Sequence, residues 1–378
     1  MFKVNNSWDT RSLNMRKRIK LRKIWIILLV ILVLLLIYPT YLTISIASKD
    51  YKLSSIYNIV VKGIKDEVLD NDYSKTLEEA VNSKEFDKSN VEEYFDIVYV
   101  EKDYFINRIN KLIKIGYSVD DINKINNKLT DEIVDTLYNH ELIKDISKYL
   151  EFDYFKSENL YRYLAYYNGN YQQSIVYVNI GLDKDLYQDV NVITTYSVDV
   201  LANKYNKLDE NFEPDNLVLV NSSYVKGNNK EYLSAEAKNA FELMAEEAKK
   251  EGKYLLVNSA YRSYSTQQDI YDTYLRLYGK TYVDNYVALP GYSEHQTGLA
   301  LDVAARGYNV FKTSPEYKWM LENAYKYGFI LRYPENKQNI TGYKNETWHF
   351  RYVGIDAAKY IQENKITYEE YYVMFLDK

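Results

Sequence analysis

Two of the chain's three histidines lie in short polar segments near its C-terminal end, each with a carboxylate close by. The first segment reads Ser293-Glu294-His295-Gln296-Thr297-Gly298-Leu299-Ala300-Leu301-Asp302-Val303, and the second Glu346-Thr347-Trp348-His349-Phe350-Arg351. Asp302 stands inside an apolar run with strand character, Leu299 to Ala304. Burying a bare carboxylate there costs on the order of several kcal/mol, so Asp302 needs a partner or a metal. The Thr297-Gly298 joint reads as flexible and lets His295 fold its imidazole back toward Asp302. Strand alternation in the second segment puts Trp348 and Phe350 on a core-facing side, and His349 and Arg351 on the other, toward a cleft.

Two imidazoles and one carboxylate make a three-ligand catalytic zinc site, with the fourth position left for water. Zinc lowers the pKa of that water toward neutrality and polarises a carbonyl oxygen. The chemistry still needs a carboxylate that takes the water proton and hands it to the leaving amine. Glu346, three residues before His349, is the candidate. On a regular strand the two would face opposite ways, so Glu346 belongs in a preceding turn, which Gly342 and Asn345 favour. A third segment, Ser259-Ala260-Tyr261-Arg262-Ser263-Tyr264-Ser265-Thr266-Gln267, offers Arg262. Its guanidinium suits a substrate carboxylate, or the oxyanion of a tetrahedral intermediate. The competing reading makes His295 and Asp302 a buried hydrogen-bonded pair and Arg262 a salt-bridge partner.

These segments need a scaffold, and the pattern after Asp199 supplies one. Ser234 caps a helix carrying Ala237, Phe241, Met244 and Ala248 that stops at Gly252. Tyr254 to Val257 reads as a buried strand. Ser265 with Gln268 reads as a capping box for a helix ending near Gly279. Ser314-Pro315 starts a third helix that Gly328 ends. Phe329 to Tyr333 and Trp348 to Val353 read as further strands, and Ile355 to Glu363 as a closing helix. The expectation is an α+β domain over 199–378, an antiparallel sheet with flanking helices.

Upstream, 49–198 is poor in breakers: nine of thirteen Gly and four of five Pro lie after residue 210. Ser118 with Asp121, and Thr130 before Ile133, Leu137 and Leu142, mark helix starts. The region reads as a helical membrane-proximal module without chemistry of its own, and its lone His140 as a surface residue. From Ile24 to Ser48 no residue is charged, enough to cross a bilayer. Arg11, Arg16, Lys17, Arg18, Lys20, Arg22 and Lys23 precede it. The positive-inside rule then leaves a basic tail, 1–23, in the cytoplasm, a transmembrane helix at 24–48, and the rest outside. A cleaved signal peptide is the rival, with a weak cue at Ala47-Ser48. The net charge of −5 argues against nucleic acid. Cys is absent, which removes disulfides and thiolate ligands. The 43 Tyr read as a lineage bias in composition and not as a carbohydrate-binding stripe.

The three segments resemble those of the VanY-type D-alanyl-D-alanine carboxypeptidases, in the wider group of lysostaphin-like peptidases and hedgehog-like domains. The pattern S-x-H-x-x-G-x-A-x-D is met by Ser293, His295, Gly298, Ala300 and Asp302. E-x-x-H is met by Glu346 and His349, and Y-R-S-x-x-x-Q by Tyr261, Arg262, Ser263 and Gln267. The resemblance covers about residues 199–370. It implies that His295, Asp302 and His349 bind zinc and that Glu346 is the catalytic base. It also implies substrate contacts from Arg262, Gln267, Ser293 and Tyr261, with Trp348 as pocket wall. The expected activity is removal of a C-terminal D-alanine from peptidoglycan stem peptides outside the cell. An endopeptidase cutting cross-links would need a groove open at both ends, which turns on how 279–290 folds. A zinc-bearing wall-binding module without turnover is the non-enzymatic rival.

Overall fold

The computed structural model describes residues 7–377, apart from 129, 140–142, 144 and 189. His140 and Leu142 therefore lie outside the described residues. The chain divides into two compact units, Met1–Leu150 and Glu151–Lys378.

The first unit begins with helix α1 (Ser7–Ala47), whose stretch Met15–Ala47 is long and apolar enough to cross a membrane. Short helices follow, and their starts are capped as the sequence implies. The Ser118 side chain accepts a hydrogen bond from Asp121 N–H, and Thr130 from Ile133 N–H. Their apolar stripes bury Ile59, Leu77, Ile109, Leu112, Ile122, Val134 and Leu137.

The second unit starts well before residue 199, where composition shifts. The helix Tyr171–Ile180 buries Val176 and Ile180 against Val373 near the chain's end, and Lys156 pairs with Asp377 at 2.8 Å. Those contacts tie the segment after Leu150 to the sheet-bearing body.

That body is built on a four-stranded antiparallel sheet of β1 (Leu255–Ser259), β2 (Ala300–Ala305), β3 (Phe329–Leu331) and β4 (His349–Tyr352), in the order β1-β2-β4-β3. One face packs Val257, Leu301, Val303, Phe329 and Phe350 against Phe241 and Met244 of helix α2 (Ala235–Lys250). Ser234 caps α2 by accepting from Ala237 N–H. Helix α3 (Tyr264–Tyr278) is capped by Ser263, which accepts from Thr266 N–H, so the cap lies two residues before the expected Ser265. The 279–290 segment holds a second helix, α4 (Lys280–Tyr286), forming a hairpin with α3. Ser314 caps α5 (Pro315–Asn323), and α6 (Ile355–Asn364) follows β4. A last helix, α7 (Tyr368–Phe375), was not expected; a Thr367–Glu370 capping box starts it.

Between α4 and β2 the chain makes a short 3-10 turn, Glu294–Thr297, ended by Gly298 at φ +68°. Glu294, His295, Gln296 and Thr297 are all buried. The joint read as flexible is thus rigid: Thr297 Oγ1 donates to Glu294 O and accepts from Leu299 N–H. A Cβ on Gly298 would lie 2.8 Å from Leu217 Cδ2 and 3.1 Å from Ser234 N. Gly307, at φ +83°, has open space at that position. The left-handed conformation alone costs an L-residue about 1–2 kcal/mol. Both Gly307→Ala and Gly298→Ala should therefore lower the melting midpoint by about 2–8 °C from this term, at roughly 2–4 °C per kcal/mol, and Gly298→Ala should lower it further through its steric contacts. Equal midpoints for the two variants in thermal melts would contradict the steric account.

Candidate metal and catalytic site

Asp302 on β2 pairs directly with His349 on β4, and with Ser259 on β1 across a bulge between Val257 and Ser259. The pleat that buries Leu301, Val303 and Phe350 in the core turns Asp302 and His349 to the opposite face. The turn Glu294–Thr297 brings His295 to the same place. His295 Nε2 lies 3.4 Å and His349 Nδ1 3.2 Å from Asp302 Oδ1. These three ligand atoms all lie within 4.8 Å of one another, the one such group among the described residues.

Hydrogen-bond chemistry settles which ring nitrogens are free. His295 Nδ1 is 2.6 Å from Ala260 O, which can only accept, so Nδ1 carries the proton and Nε2 a lone pair. His349 Nε2 faces the Glu294 carboxylate at 3.5 Å and donates to it, which leaves Nδ1 toward Asp302. His295 Nε2 and Asp302 Oδ1 are both buried without a hydrogen-bond partner. These two lone-pair atoms, 3.4 Å apart, suit a shared cation. Ligands of a tetrahedral zinc bonded at about 2.0–2.1 Å stand about 3.4 Å apart, so the donor set and spacing fit zinc.

Behind this group lies a buried charge cluster that sequence reasoning missed. Glu294 Oε1 accepts from Arg332 Nε at 2.7 Å and Arg351 Nη1 at 3.3 Å. Arg332 also forks onto Glu369 of α7 at 2.5 and 2.9 Å. Arg351 Nη2 donates to Val198 O and Val200 O. Two arginines and two glutamates compensate one another, as buried ions must. Burial alone would raise the Glu294 carboxyl; Arg332, then Arg351, hold it far below the usual carboxylate range. The sequence signal was a charged residue in each of two otherwise apolar or aromatic strand segments, Arg332 and Arg351.

The predicted residues distribute as follows. Glu346 is buried in a turn closed by His349 N–H to Glu346 O, and its Oε2 stands 3.9 Å from His349 Nδ1. Arg262 Nη1 donates to Gln267 Oε1 at 2.8 Å, Nη2 lies 3.8 Å from Asp302 Oδ2, and Nε has no partner in the protein. Gln267 is buried, and its amide donates to Ala288 O, so it orients Arg262 and anchors the segment after α4. Ser293 lines the cleft. Of the two places expected for Trp348, core and pocket wall, it takes the second: it lies just ahead of β4, is 39% exposed, and walls the cleft. Tyr261 is not among the lining residues; its N–H donates to Tyr232 O. The cleft, of about 330 Å³, is also walled by Tyr274, Tyr282 and Tyr286 of the α3–α4 hairpin and by buried Tyr333 and Tyr343.

Burial, then Arg262, pushes the His295 imidazole down to about 4 and keeps it neutral. Burial also raises Glu346, with Asp302 adding to it against His349 and Arg262, to about 8. His349 runs against its burial: hydrogen bonds to Asp302 and Glu294 raise it to about 9. Below that pH the metal-free protein carries a proton on His349 that ligation must displace, so metal affinity rises with pH until about 9. Zinc affinity measured by calorimetry should rise about tenfold per unit between pH 6 and 8, with at least about one proton released. An affinity flat across that range would contradict the assignment of His349 as a ligand.

A family model described as VanY: D-alanyl-D-alanine carboxypeptidase matches residues 230–355. A putative carboxypeptidase, YodJ, of Bacillus subtilis (strain 168) is 47% identical over 179 residues, 46% of this chain and 66% of that protein. VanXYC of Enterococcus gallinarum, a bifunctional D-Ala-D-Ala dipeptidase and carboxypeptidase, is 38% identical over 179 residues, 46% of this chain and 92% of that one. Among solved structures, a vancomycin-resistance D,D-pentapeptidase VanY in complex with Zn(II) is 35% identical with a TM-score of 0.41, over 46% of this chain and 98% of that one.

Proposed function

We propose that this chain, which belongs to the VanY family of D-alanyl-D-alanine carboxypeptidases, is a zinc-dependent enzyme that removes a C-terminal D-alanine from peptidoglycan stem peptides. We propose further that α1 holds it in the membrane with the catalytic unit outside. The observation that carries the reading is the convergence of His295 Nε2, Asp302 Oδ1 and His349 Nδ1 beside the Glu346 carboxylate in one cleft. The basic residues ahead of the apolar stretch support the topology.

A zinc ion held by these three ligands supplies Lewis acidity and a water of lowered pKa. Glu346 accepts the proton of the attacking water at its carboxylate and delivers it to the leaving amine of D-alanine. Burial raises the proton affinity of the Glu346 carboxylate, which suits a group that holds a proton between the two transfers. Arg262, oriented by Gln267 and lining the cleft, pairs with the terminal carboxylate of the peptide. The hairpin supports an exopeptidase over an endopeptidase, because α4 and Ala288 wall the cleft on the Arg262–Gln267 side. Trp348 and the hairpin tyrosines flank the rest of the peptide.

The test is D-alanine release from synthetic pentapeptide and tetrapeptide stems by the full chain in detergent. Chelation should abolish release and zinc restore it. Glu346→Gln should lower kcat by about 10²–10⁴ with KM little changed. Arg262→Ala should raise KM while leaving metal affinity intact. Release that persists in chelator, or a wild-type rate in Glu346→Gln, would overturn the mechanism.

A further inference from the structure

Lys204 is the one lysine among the described residues that the fold buries, at 4% exposure. Its ammonium meets no carboxylate. Nζ donates to Asp284 O at 2.7 Å and to Gly342 O at 2.8 Å, and lies 4.5 Å from the centroid of the Tyr343 ring. Burial lowers its affinity for the proton. The Asp284 charge, shared with Lys280, offsets only part of that burial, so the carbonyls and the ring face hold the ammonium directly.

The two carbonyls belong to opposite walls of the catalytic cleft. Asp284 is on α4, whose Tyr282 and Tyr286 line it; Gly342 precedes Tyr343, which lines it, and stands four residues before Glu346. Further links between these walls among the described residues are Lys344 N–H to Asn285 O at 3.2 Å, Gln338 Nε2 to Asn285 Oδ1 at 3.0 Å, exposed, and Lys344 Nζ 5.5 Å from the Tyr286 ring centroid. Gly342 has φ +77°, and a Cβ there would stand 3.1 Å from Lys204 Cδ, so the chain bends tightly around the lysine stem. By contrast α3, the other arm of the hairpin, buries only Gln267. The hairpin's buried apolar anchors are Val283 of α4 and Val287 just after it, and Lys204 adds to this small set.

We propose that Lys204 is a positioning residue that clamps the α3–α4 hairpin against the Tyr343 wall and thereby sets the affinity of the cleft for its peptide. It touches neither the ligand atoms nor Glu346, so the clamp acts on binding and leaves the chemical step alone. The kinetic part rests on the carboxypeptidase reading; the structural part does not.

Two measurements on the full chain separate the two. In Lys204→Met, which keeps the stem and removes the charge, hydrogen exchange of amides in 280–288 should speed up at least about tenfold. Amides of 300–305 and 349–352 should keep their protection. With a stem peptide as substrate, KM should rise about tenfold with kcat within about twofold. Gly342→Ala, which pushes on the lysine from the other side, should shift both readouts the same way. Because the chain has no native Cys, Asn285→Cys with Gln338→Cys can replace the clamp by a disulfide. In the Lys204→Met background it should restore KM when oxidised and lose it again when reduced. Unchanged exchange in 280–288, or an equal loss across the whole sheet, would overturn the clamp. So would a fall in kcat at constant KM, or failure of the formed disulfide to restore KM. If no variant, wild type included, releases D-alanine, the carboxypeptidase reading fails and the exchange data still decide the clamp.

Discussion

Two buried acceptors, His295 Nε2 and Asp302 Oδ1, face each other at 3.4 Å, and His349 Nδ1 stands 3.2 Å from the same oxygen. Each has its other valences committed or constrained. The histidine's second nitrogen is spent on Ala260 O, and the aspartate sits on a strand whose neighbours are core residues. Such a pair is unfavourable by itself and becomes favourable around a cation. The strand register that sets Asp302 opposite His349 adds the third ligand. The sheet therefore gathers a donor set that suits a metal ion.

What holds that arrangement is a second layer of charge. Glu294 receives His349 on one side and two arginines on the other, so it stays ionised where burial would neutralise it. Glu369 on α7 then neutralises Arg332 from the far side. A helix near the end of the chain thus bears on the orientation of an imidazole in the sheet. Removing one member would leave an uncompensated buried charge, more disruptive than replacing the whole set with apolar residues. Above this rigid floor the cleft walls are held differently, by carbonyls, an amide and tyrosines of the hairpin, where Tyr274 stacks on Tyr282 and Tyr278 and Tyr286 pack tilted against Tyr282. Rigid ligands below and lightly fastened walls above suit a site that fixes a metal and admits a peptide.

Much of this was legible in the sequence because local rules govern it. The caps at Ser118, Thr130, Ser234 and Ser314, the strands carrying Asp302 and His349, and the turn holding Glu346 all follow from spacing and residue type. Scarcity of histidine drew attention to the two imidazoles that the sheet brings together with Asp302. What escaped was set by tertiary contact. The Glu294 cluster joins residues about forty to sixty positions apart, and no local pattern announces it. Ser263 and Ser265 are both capable caps, and the start of α3 was decided by where Arg262 must leave β1. Trp348 follows strand alternation in principle, yet β4 begins one residue later and frees it for the cleft wall. The rigidity of Thr297-Gly298 came from burial, which composition does not display. The start of the second unit was displaced because Val176 and Ile180 find their partner, Val373, nearly two hundred residues away.

The central claim is that His295, Asp302 and His349 form a three-ligand zinc site, and the most direct test is X-ray absorption at the zinc edge on the protein loaded with one equivalent of metal. The account predicts a shell of two imidazole nitrogens and at least one carboxylate oxygen at about 2.0–2.2 Å, with no sulfur. His349→Ala should remove one of the two imidazoles. A shell that keeps both imidazoles in that variant, or contains fewer than two in the native protein, would contradict it.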